Sequence, residues 1–332
     1  MSLKKRIAIN GFGRIGRILL RQILQKNQFD VVLINDLADI KTCVHLFQYD
    51  TIRGVYPGKL ECNGNQLIVD GQKITFLQER EISRLPWNEY KVDLVVECTG
   101  VYRDRLSAEM HLAAGARHVI ISAPPKDKDI STLVLGVNDK SFSDFPQIIS
   151  NASCTTNCAA PLIQIIMKYF EIEQLYMSTT HSYTADQNLQ DAPHKDLRRA
   201  RAATQNLVPT TTGAADALFA LFPQLKNKLL ATSVRVPVIC GSLLDLVFFV
   251  KDNTKNKSEL NAIFQSEAET HLKGILRYNT DPIVSSDILG DGHSAILDAE
   301  LTEVSGNMIK ITAWYDNEFG YASRLADLCE II

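Results

Sequence analysis

No stretch of the 332-residue chain is apolar for long enough to cross a bilayer, which takes about 20 consecutive residues. No low-complexity tract interrupts it, and no excess of one charge marks it. Its 35 Lys and Arg face 38 Asp and Glu, a formal net charge of −3. That balance gives no reason to expect nucleic acid or a membrane surface as a partner. The opening "MSLKKRIAING" is basic but passes directly into a strand-like segment, without the apolar core and small-residue cleavage site of a secretory signal. Cysteine is present, but not as a disulfide framework. The seven residues, at 43, 62, 98, 154, 158, 240 and 329, are odd in number and scattered, which points to a reducing cytoplasm. What remains is an ordinary globular composition, 45% hydrophobic and 22% charged, with length for about two domains.

The first half carries a nucleotide-binding pattern. Ile7 and Ile9 lie in a short strand-like segment, Gly11, Gly13 and Gly16 follow in G-x-G-x-x-G spacing, and Ile15, Leu19, Leu20 and Ile23 recur at helical intervals. The first glycine permits a tight turn, the second lets a pyrophosphate approach the backbone, and the third lets helix and strand pack closely. Phosphates would lie at the helix N-terminus, against free N–H groups. A second strand, "VVLIND", ends at Asp36, 20 residues after Gly16, where a carboxylate accepts from ribose hydroxyls and repels a 2′-phosphate. The expected cofactor is therefore NAD rather than NADP. Further apolar runs, "VDLVVECTG" (92–100) and "RHVIISAP" (117–124), predict a parallel sheet covered on both faces. Asn63-Gly64 and Asp70-Gly71 predict antiparallel strands inserted at 60–76.

After residue 150 the texture changes to an α+β pattern. "LYMSTTHSY", "LLATSVRVP" and "SLLDLVFFV" read as long strands, and "SELNAIFQSEAETHL" as an amphipathic helix lying against the last of them. The stretch "SNASCTTNC" (150–158) has three readings. Zinc binding would need further ligands at short spacing, and none is near, so no metal is expected. Two buried thiols are the plain alternative. The third reading puts Cys154 in the first turn of a helix, where the dipole and free amides stabilise a thiolate, with Cys158 one turn deeper as a structural residue. Of seven histidines, His181 ends a strand-like run and opens the polar "HSYTADQ". On spacing alone, a structural role is as good for any one of them.

With "NGFGRIGR", "SNASCTTNC", "HSYTADQ", "HKDLRRARAAT", "PTTTGAA", "RVP" and "WYDNEFGY" present in that order, the chain resembles phosphorylating glyceraldehyde-3-phosphate dehydrogenases from about residue 5 to its end. The resemblance implies a Rossmann-type α/β dinucleotide-binding domain (1–153 plus 317–332) and an α+β catalytic domain on an antiparallel sheet (154–316). It implies Cys154 as nucleophile and His181 as its base. Thr184 and Arg235 would hold the phosphate of glyceraldehyde 3-phosphate. Ser153, Thr155, Thr212 and Gly213, with Arg199 near them, would take inorganic phosphate. For NAD it adds Arg14 and Ile15 at the phosphates, Arg80 and Ser122 near the ring system, Thr99, Gly100 and Tyr321 in the pocket lining, and Asn317 at the nicotinamide carboxamide. A cytoplasmic homotetramer is the implied form. Arg198 and Arg201 read instead as a solvated basic face.

The chain departs from the family pattern after "RVP", where residues 238–242 read "VICGS", and Ala192 precedes Pro193 in "QDAPHKD". "DGHSAILDA" (291–299) leans toward erythrose-4-phosphate and anabolic relatives. The rival readings are therefore an erythrose-4-phosphate dehydrogenase, an NADP-preferring gluconeogenic form, and a catalytically idle nucleotide- or RNA-binding protein. Retention of Thr184, Thr212 and Gly213 ranks the first of these second, and retention of Cys154 with His181 argues against the last.

Overall fold

Two sheets organise the chain, one in each of two units. The computed structural model describes residues 4–26 and 28–332. One unit comprises Met1–Leu133, Phe142–Ala152 and Ala322–Ile332, the other Val134–Ser141 and Ser153–Tyr321.

In the first unit β1 (Lys5–Asn10), α1 (Arg14–Gln25), β2 (Phe29–Asn35) and α2 (Ile40–Gln48) follow one another. A small separate hairpin, β3 (Tyr49–Asp50) and β4 (Gly54–Val55), precedes β5 (Leu60–Asn63), β6 (Gln66–Val69) and β7 (Gln72–Leu77). Then come β8 (Leu94–Glu97), α3 (Arg105–Ala113), β9 (His118–Ile121), β10 (Ser131–Thr132) and β11 (Ile148–Ser150). The sheet order is β10-β11-β9-β8-β1-β2-β7-β6-β5. Strands from β10 to β7 pair in parallel, and β7, β6 and β5 turn antiparallel. The expected insertion at 60–76 is thus the continuation of the main sheet. β1, β2, β8 and β9 are buried almost throughout, as continuous apolar runs in a sheet covered on both faces should be. Of the stripe read from the sequence, Leu19, Leu20 and Ile23 of α1 are buried while Ile15 is half-buried, and Ile18 joins the packing face.

The second unit is built on β13-β14-β12-β15-β19-β17-β16, with β18 beside β19. In chain order these are α4 (Cys154–Tyr169), β12 (Ile172–Ser182), β13 (Val208–Thr210), α5 (Ala214–Leu221), β14 (Leu229–Val236), β15 (Ser242–Val250), α6 (Lys257–Glu269), β16 (Leu276–Asn279), β17 (Ala295–Asp298), β18 (Glu303–Ser305), β19 (Met308–Tyr315) and α7 (Phe319–Ile331). Most neighbours are antiparallel, but β12 with β14 and β16 with β17 are parallel. The expected amphipathic helix forms as α6, capped by a reciprocal Asn256–Glu259 box. It packs on β16, not on β15 as expected, because α4 already lies over β15, β17 and β19. From Ala322 onward α7 belongs to the first unit, where Lys26 holds Asp327 at 2.6 Å and Glu330 at 2.8 Å. Among the described residues no helix is long and apolar enough to cross a membrane.

The three loop glycines have three different steric duties. Gly11 has φ +96°, and a Cβ there would stand 2.6 Å from the Thr99 backbone N. At Gly16 a Cβ would stand 2.2 Å from the Gly11 carbonyl oxygen, so its absence lets α1 close onto β1. At Gly13 nothing lies within 4 Å. Gly16→Ala should therefore cost about 1–3 kcal/mol of stability by overpacking against rigid backbone, whereas Gly13→Ala should leave it within about 0.5 kcal/mol. Urea unfolding of the two variants checks this, and equal losses would contradict the steric assignment.

Candidate active site

The first unit gathers its expected nucleotide residues at the C-terminal ends of parallel strands. The turn after β1 is held by Gly11 N–H on the Asn35 carbonyl (2.7 Å) and by Phe12 N–H on the Asp36 carboxylate (2.6 Å). Asp36 also accepts from Ala38 N–H at 2.9 Å, so backbone donors fix the carboxylate at the end of β2. Gly13, the N-cap of α1, is exposed and no side chain caps the helix start. A helix start without a side-chain cap suits an anion, and the open space at Gly13 is what a pyrophosphate against the backbone requires. Arg14 and Ile15 begin that helix, with Arg14 paired to Asp50 at 2.6 Å. Thr99 lies against Gly11, and Gly100 follows with φ +71°. Ser122 N–H donates to the Glu97 carbonyl (3.0 Å), which places it beside them. Arg80 is exposed, and its carbonyl accepts from the Tyr102 hydroxyl (3.1 Å). Asn317 and Tyr321 belong to the second unit.

Below this turn lies a polar network that sequence reading missed. Glu97, 2% exposed, accepts from Thr99 N–H (2.7 Å), the Thr99 hydroxyl and the Asn10 amide, and Asn10 in turn accepts from Asn35 (2.8 Å). The buried carboxylate shapes the Thr99–Gly100 turn from beneath. An acid ending the otherwise apolar "LVVE" of β8 was the available signal.

In the second unit, Cys154 is the first residue of α4, capped by Ser153, whose Oγ accepts from Thr156 N–H at 3.1 Å. The preceding Ala152 has φ +53°, a left-handed conformation costing a β-carbon residue about 1 kcal/mol, and it turns the chain from β11 into the helix. Cys154 Sγ stands 3.5 Å from His181 Nε2. The histidine ends β12 and is 5% exposed. Parallel pairing sets Arg235 of β14 directly beside His181, with Nη1 at 2.7 Å from Nδ1 and 3.0 Å from the Ser182 carbonyl. Cys158 lies one turn along α4, fully buried. Tyr315, also missed in the sequence, bridges Thr155 (3.0 Å) and Thr179 (2.8 Å) through its hydroxyl and meets the His181 ring edge-on. Thr155 thus commits its side chain to the core and has only its backbone N–H to offer an anion. Among the described residues no group of three or more His, Cys, Asp or Glu could hold a metal ion.

The other expected anion-binding residues form a second cluster around Asp186, which sequence reading did not single out. Asp186 takes the Thr184 hydroxyl on one oxygen and Arg199 on the other. Arg199 also donates to Thr210 Oγ1 (2.9 Å) and the Thr211 carbonyl (3.3 Å), next to Thr212 and Gly213 at the start of α5. Thr212 Oγ1 accepts from Ala214 N–H at 3.2 Å. Arg201 pairs with exposed Asp191 at 3.0 Å, and Arg198 is exposed. Asn317 Oδ1 accepts from Ser182 Oγ (2.9 Å), Gly241 N–H (3.1 Å) and Ser242 Oγ (3.2 Å). Those three donors fix the amide by its oxygen. The unusual 238–242 segment therefore bears on Asn317, and Cys240 donates to Asp316 at 3.2 Å.

The halves of the chain match two sequence families, "Glyceraldehyde 3-phosphate dehydrogenase, NAD binding domain" over residues 5–105 and "Glyceraldehyde 3-phosphate dehydrogenase, C-terminal domain" over 153–317. The chain belongs to the glyceraldehyde-3-phosphate dehydrogenase family. It is 48% identical over 326 residues to glyceraldehyde-3-phosphate dehydrogenase 2 of Streptomyces avermitilis, covering 97% of each chain. It is 49% identical over 334 residues to the glyceraldehyde-3-phosphate dehydrogenase of Mycobacterium avium, and 48% over 332 residues to that of Borreliella burgdorferi, covering 98% of each chain in both cases. The first unit thus carries the family's NAD-binding domain, and the glycine turn, the uncapped helix start and Asp36 fit that cofactor.

The electrostatics of the pair correct one expectation. A thiolate stabilised at the helix start was expected; burial instead pushes the Cys154 thiol up, against the pull of Arg235 and of Thr155 hydrogen bonds. Burial and the Arg235 charge push His181 down to about 3. The Arg235 guanidinium, 2.7 Å from Nδ1, opposes a second positive charge on the ring. The resting pair is thiol and neutral imidazole. Because the native His181 resists protonation, its contribution to stability is complete above pH about 6.5 and is lost as pH falls toward 3. His181→Asn should therefore flatten the acid limb between pH 4 and 6 by up to about 1.4 kcal/mol per pH unit. Urea unfolding at stepped pH measures the slope, and an unchanged limb would refute the depressed imidazole.

Proposed function

We propose that the chain oxidises glyceraldehyde 3-phosphate to 1,3-bisphosphoglycerate with NAD and inorganic phosphate. The observation that carries this is the thiol at the start of α4, 3.5 Å from a neutral imidazole, in a chain of this family. Residues 1–153 with 317–332 serve the nucleotide and 154–316 the chemistry. Cys154 Sγ adds to the aldehyde carbon while His181 Nε2 takes the thiol proton and passes it to the oxygen, giving a thiohemiacetal. For that transfer the Nδ1 proton rests on the Ser182 carbonyl, 2.7 Å away, leaving the Nε2 lone pair toward the sulfur. His181 next removes the hydroxyl proton as the C–H bond breaks. Bound NAD supplies the acceptor for the hydride. Inorganic phosphate then adds to the Cys154 thioester, the C–S bond breaks, and the acyl phosphate leaves as the sulfur regains its proton.

Thr184 and Arg235 hold the substrate phosphate, and Ser153, the Thr155 N–H, Thr212, Gly213 and Arg199 receive the incoming one. Hydroxyls, amides and guanidinium groups are the right donors for both. Asp186 must yield Thr184 and Arg199 as the anions arrive, since a carboxylate now occupies both. Gly11, Gly13, Arg14, Ile15, Gly16, Asp36, Arg80, Thr99, Gly100, Ser122 and Tyr321 line the nucleotide, and Asn317, its amide fixed by its oxygen, meets the nicotinamide carboxamide. The Asp36 carboxylate, fixed by two backbone amides, supports NAD over NADP. The seven cysteines are all unbridged, which supports a reducing cytoplasm, and a homotetramer is the expected assembly.

Reduced nicotinamide should accumulate with glyceraldehyde 3-phosphate, NAD and phosphate, and fall to background in Cys154→Ser. Faster turnover of erythrose 4-phosphate, or rates independent of phosphate, would replace this reading. Cys158→Ser should keep most of the rate, since that thiol is sealed in the core; a loss as deep as Cys154→Ser would make it part of the chemistry.

A further inference from the structure

At the N-terminal ends of β1, β2, β8 and β9, the opposite edge of the first unit's sheet from the glycine turn, lies a cleft of about 820 Å³. Its cations are Lys4, Lys5, Arg6, Lys91, Arg117 and the ring of His118. Two side-chain carboxylates answer them, and each is already engaged. Asp30 pairs with Arg6 at 3.1 Å; Asp93 accepts from Arg6 N–H at 2.9 Å and pairs with Arg117 at 3.3 Å. Lys5 Nζ donates only to the backbone carbonyls of Cys329 (2.7 Å) and Glu330 (3.4 Å). Lys4 and Lys91 are exposed, and neither side chain has a partner among the described residues. Lys91 is moreover held at φ +48°, where glycine would be relaxed, so the turn itself gives no reason for a lysine there.

Lys4, Lys5 and Lys91 are paired to neither side-chain carboxylate of the cleft, and their ammonium groups repel one another until an anion enters. The concavity is nucleotide-sized, yet its lining carries no Phe, Tyr or Trp on which a base would stack, the His118 imidazole being its one ring. We propose that this cleft is a second anion site, which binds a compact oligophosphate through its phosphoryl oxygens, a strand length from the NAD turn. Lys4, Lys5 and Lys91 contribute point charges, and Arg117 adds a guanidinium that exchanges Asp93 for phosphate. His118 reports on the site. Burial, Lys5 and Arg117 lower its pKa against the opposing Asp93, so it is neutral in the empty cleft and gains a proton as an anion offsets those charges.

Titration calorimetry with inorganic tripolyphosphate on the NAD-saturated enzyme tests this. The wild type should bind one equivalent per chain at this site, and Lys91→Glu/Arg117→Glu should bind it at least tenfold more weakly with kcat unchanged. Arg199→Ala/Arg235→Ala, which disables the anion residues beside Cys154, should retain the site. Binding should tighten from pH 8 to pH 6 by more in the wild type than in His118→Asn. ATP should bind no tighter than tripolyphosphate, and a tenfold preference for it would overturn the claim that the phosphate chain alone is read. Equal affinity of wild type and Lys91→Glu/Arg117→Glu, or loss of all binding in Arg199→Ala/Arg235→Ala, would overturn the site itself.

Discussion

A single phenol hydroxyl ties together the parts on which the chemistry depends. Tyr315 at the end of β19 reaches Thr155 in the first turn of α4 and Thr179 in β12, two residues before His181. The helix that carries the thiol and the strand that carries the imidazole are thereby fixed to one point inside the second unit. Thiol and ring meet at 3.5 Å because their supports cannot slide independently. Buried hydroxyls that satisfy one another in this way specify one arrangement, since any other leaves polar groups unpaired in the core.

The parallel pairing of β12 with β14 adds the charge. Register sets Arg235 beside His181, and side chains on a strand alternate between faces, so a one-residue slip would turn the guanidinium away. The same arginine opposes a charge on the ring, and in the proposed reading it also donates to the substrate phosphate. A neutral imidazole can take a proton as soon as the thiol begins to react, whereas an imidazolium could not.

Much of this was legible in the residues. The G-x-G-x-x-G run, Asp36 and the apolar strands foretold the parallel sheet because backbone sterics and burial act locally, and Gly11 and Gly16 carry the turn and packing duties assigned to them. The Ser153 cap and Cys154 at a helix start followed from hydroxyl residues before an apolar run. Contacts far apart in sequence were not legible: Glu97 under the turn, Asp186 between Thr184 and Arg199, and Tyr315 across the sheet. Each acts through tertiary placement that no local period records. The ionisation of the pair was misjudged for the same reason, since helix position raises the expectation of a thiolate while burial, invisible in the sequence, opposes it. The position of α6 depended on α4 already covering β15.

The distribution of sulfur has a practical consequence. Cys43, Cys158, Cys240 and Cys329 are buried, Cys98 and Cys154 are part-exposed, and Cys62 lies open on the β5 edge strand. An alkylating reagent applied to native protein would meet Cys62 first as a matter of access, so incorporated label counts a surface sulfur together with the reactive one. Counting active centres by labelling calls for a background in which position 62 carries serine.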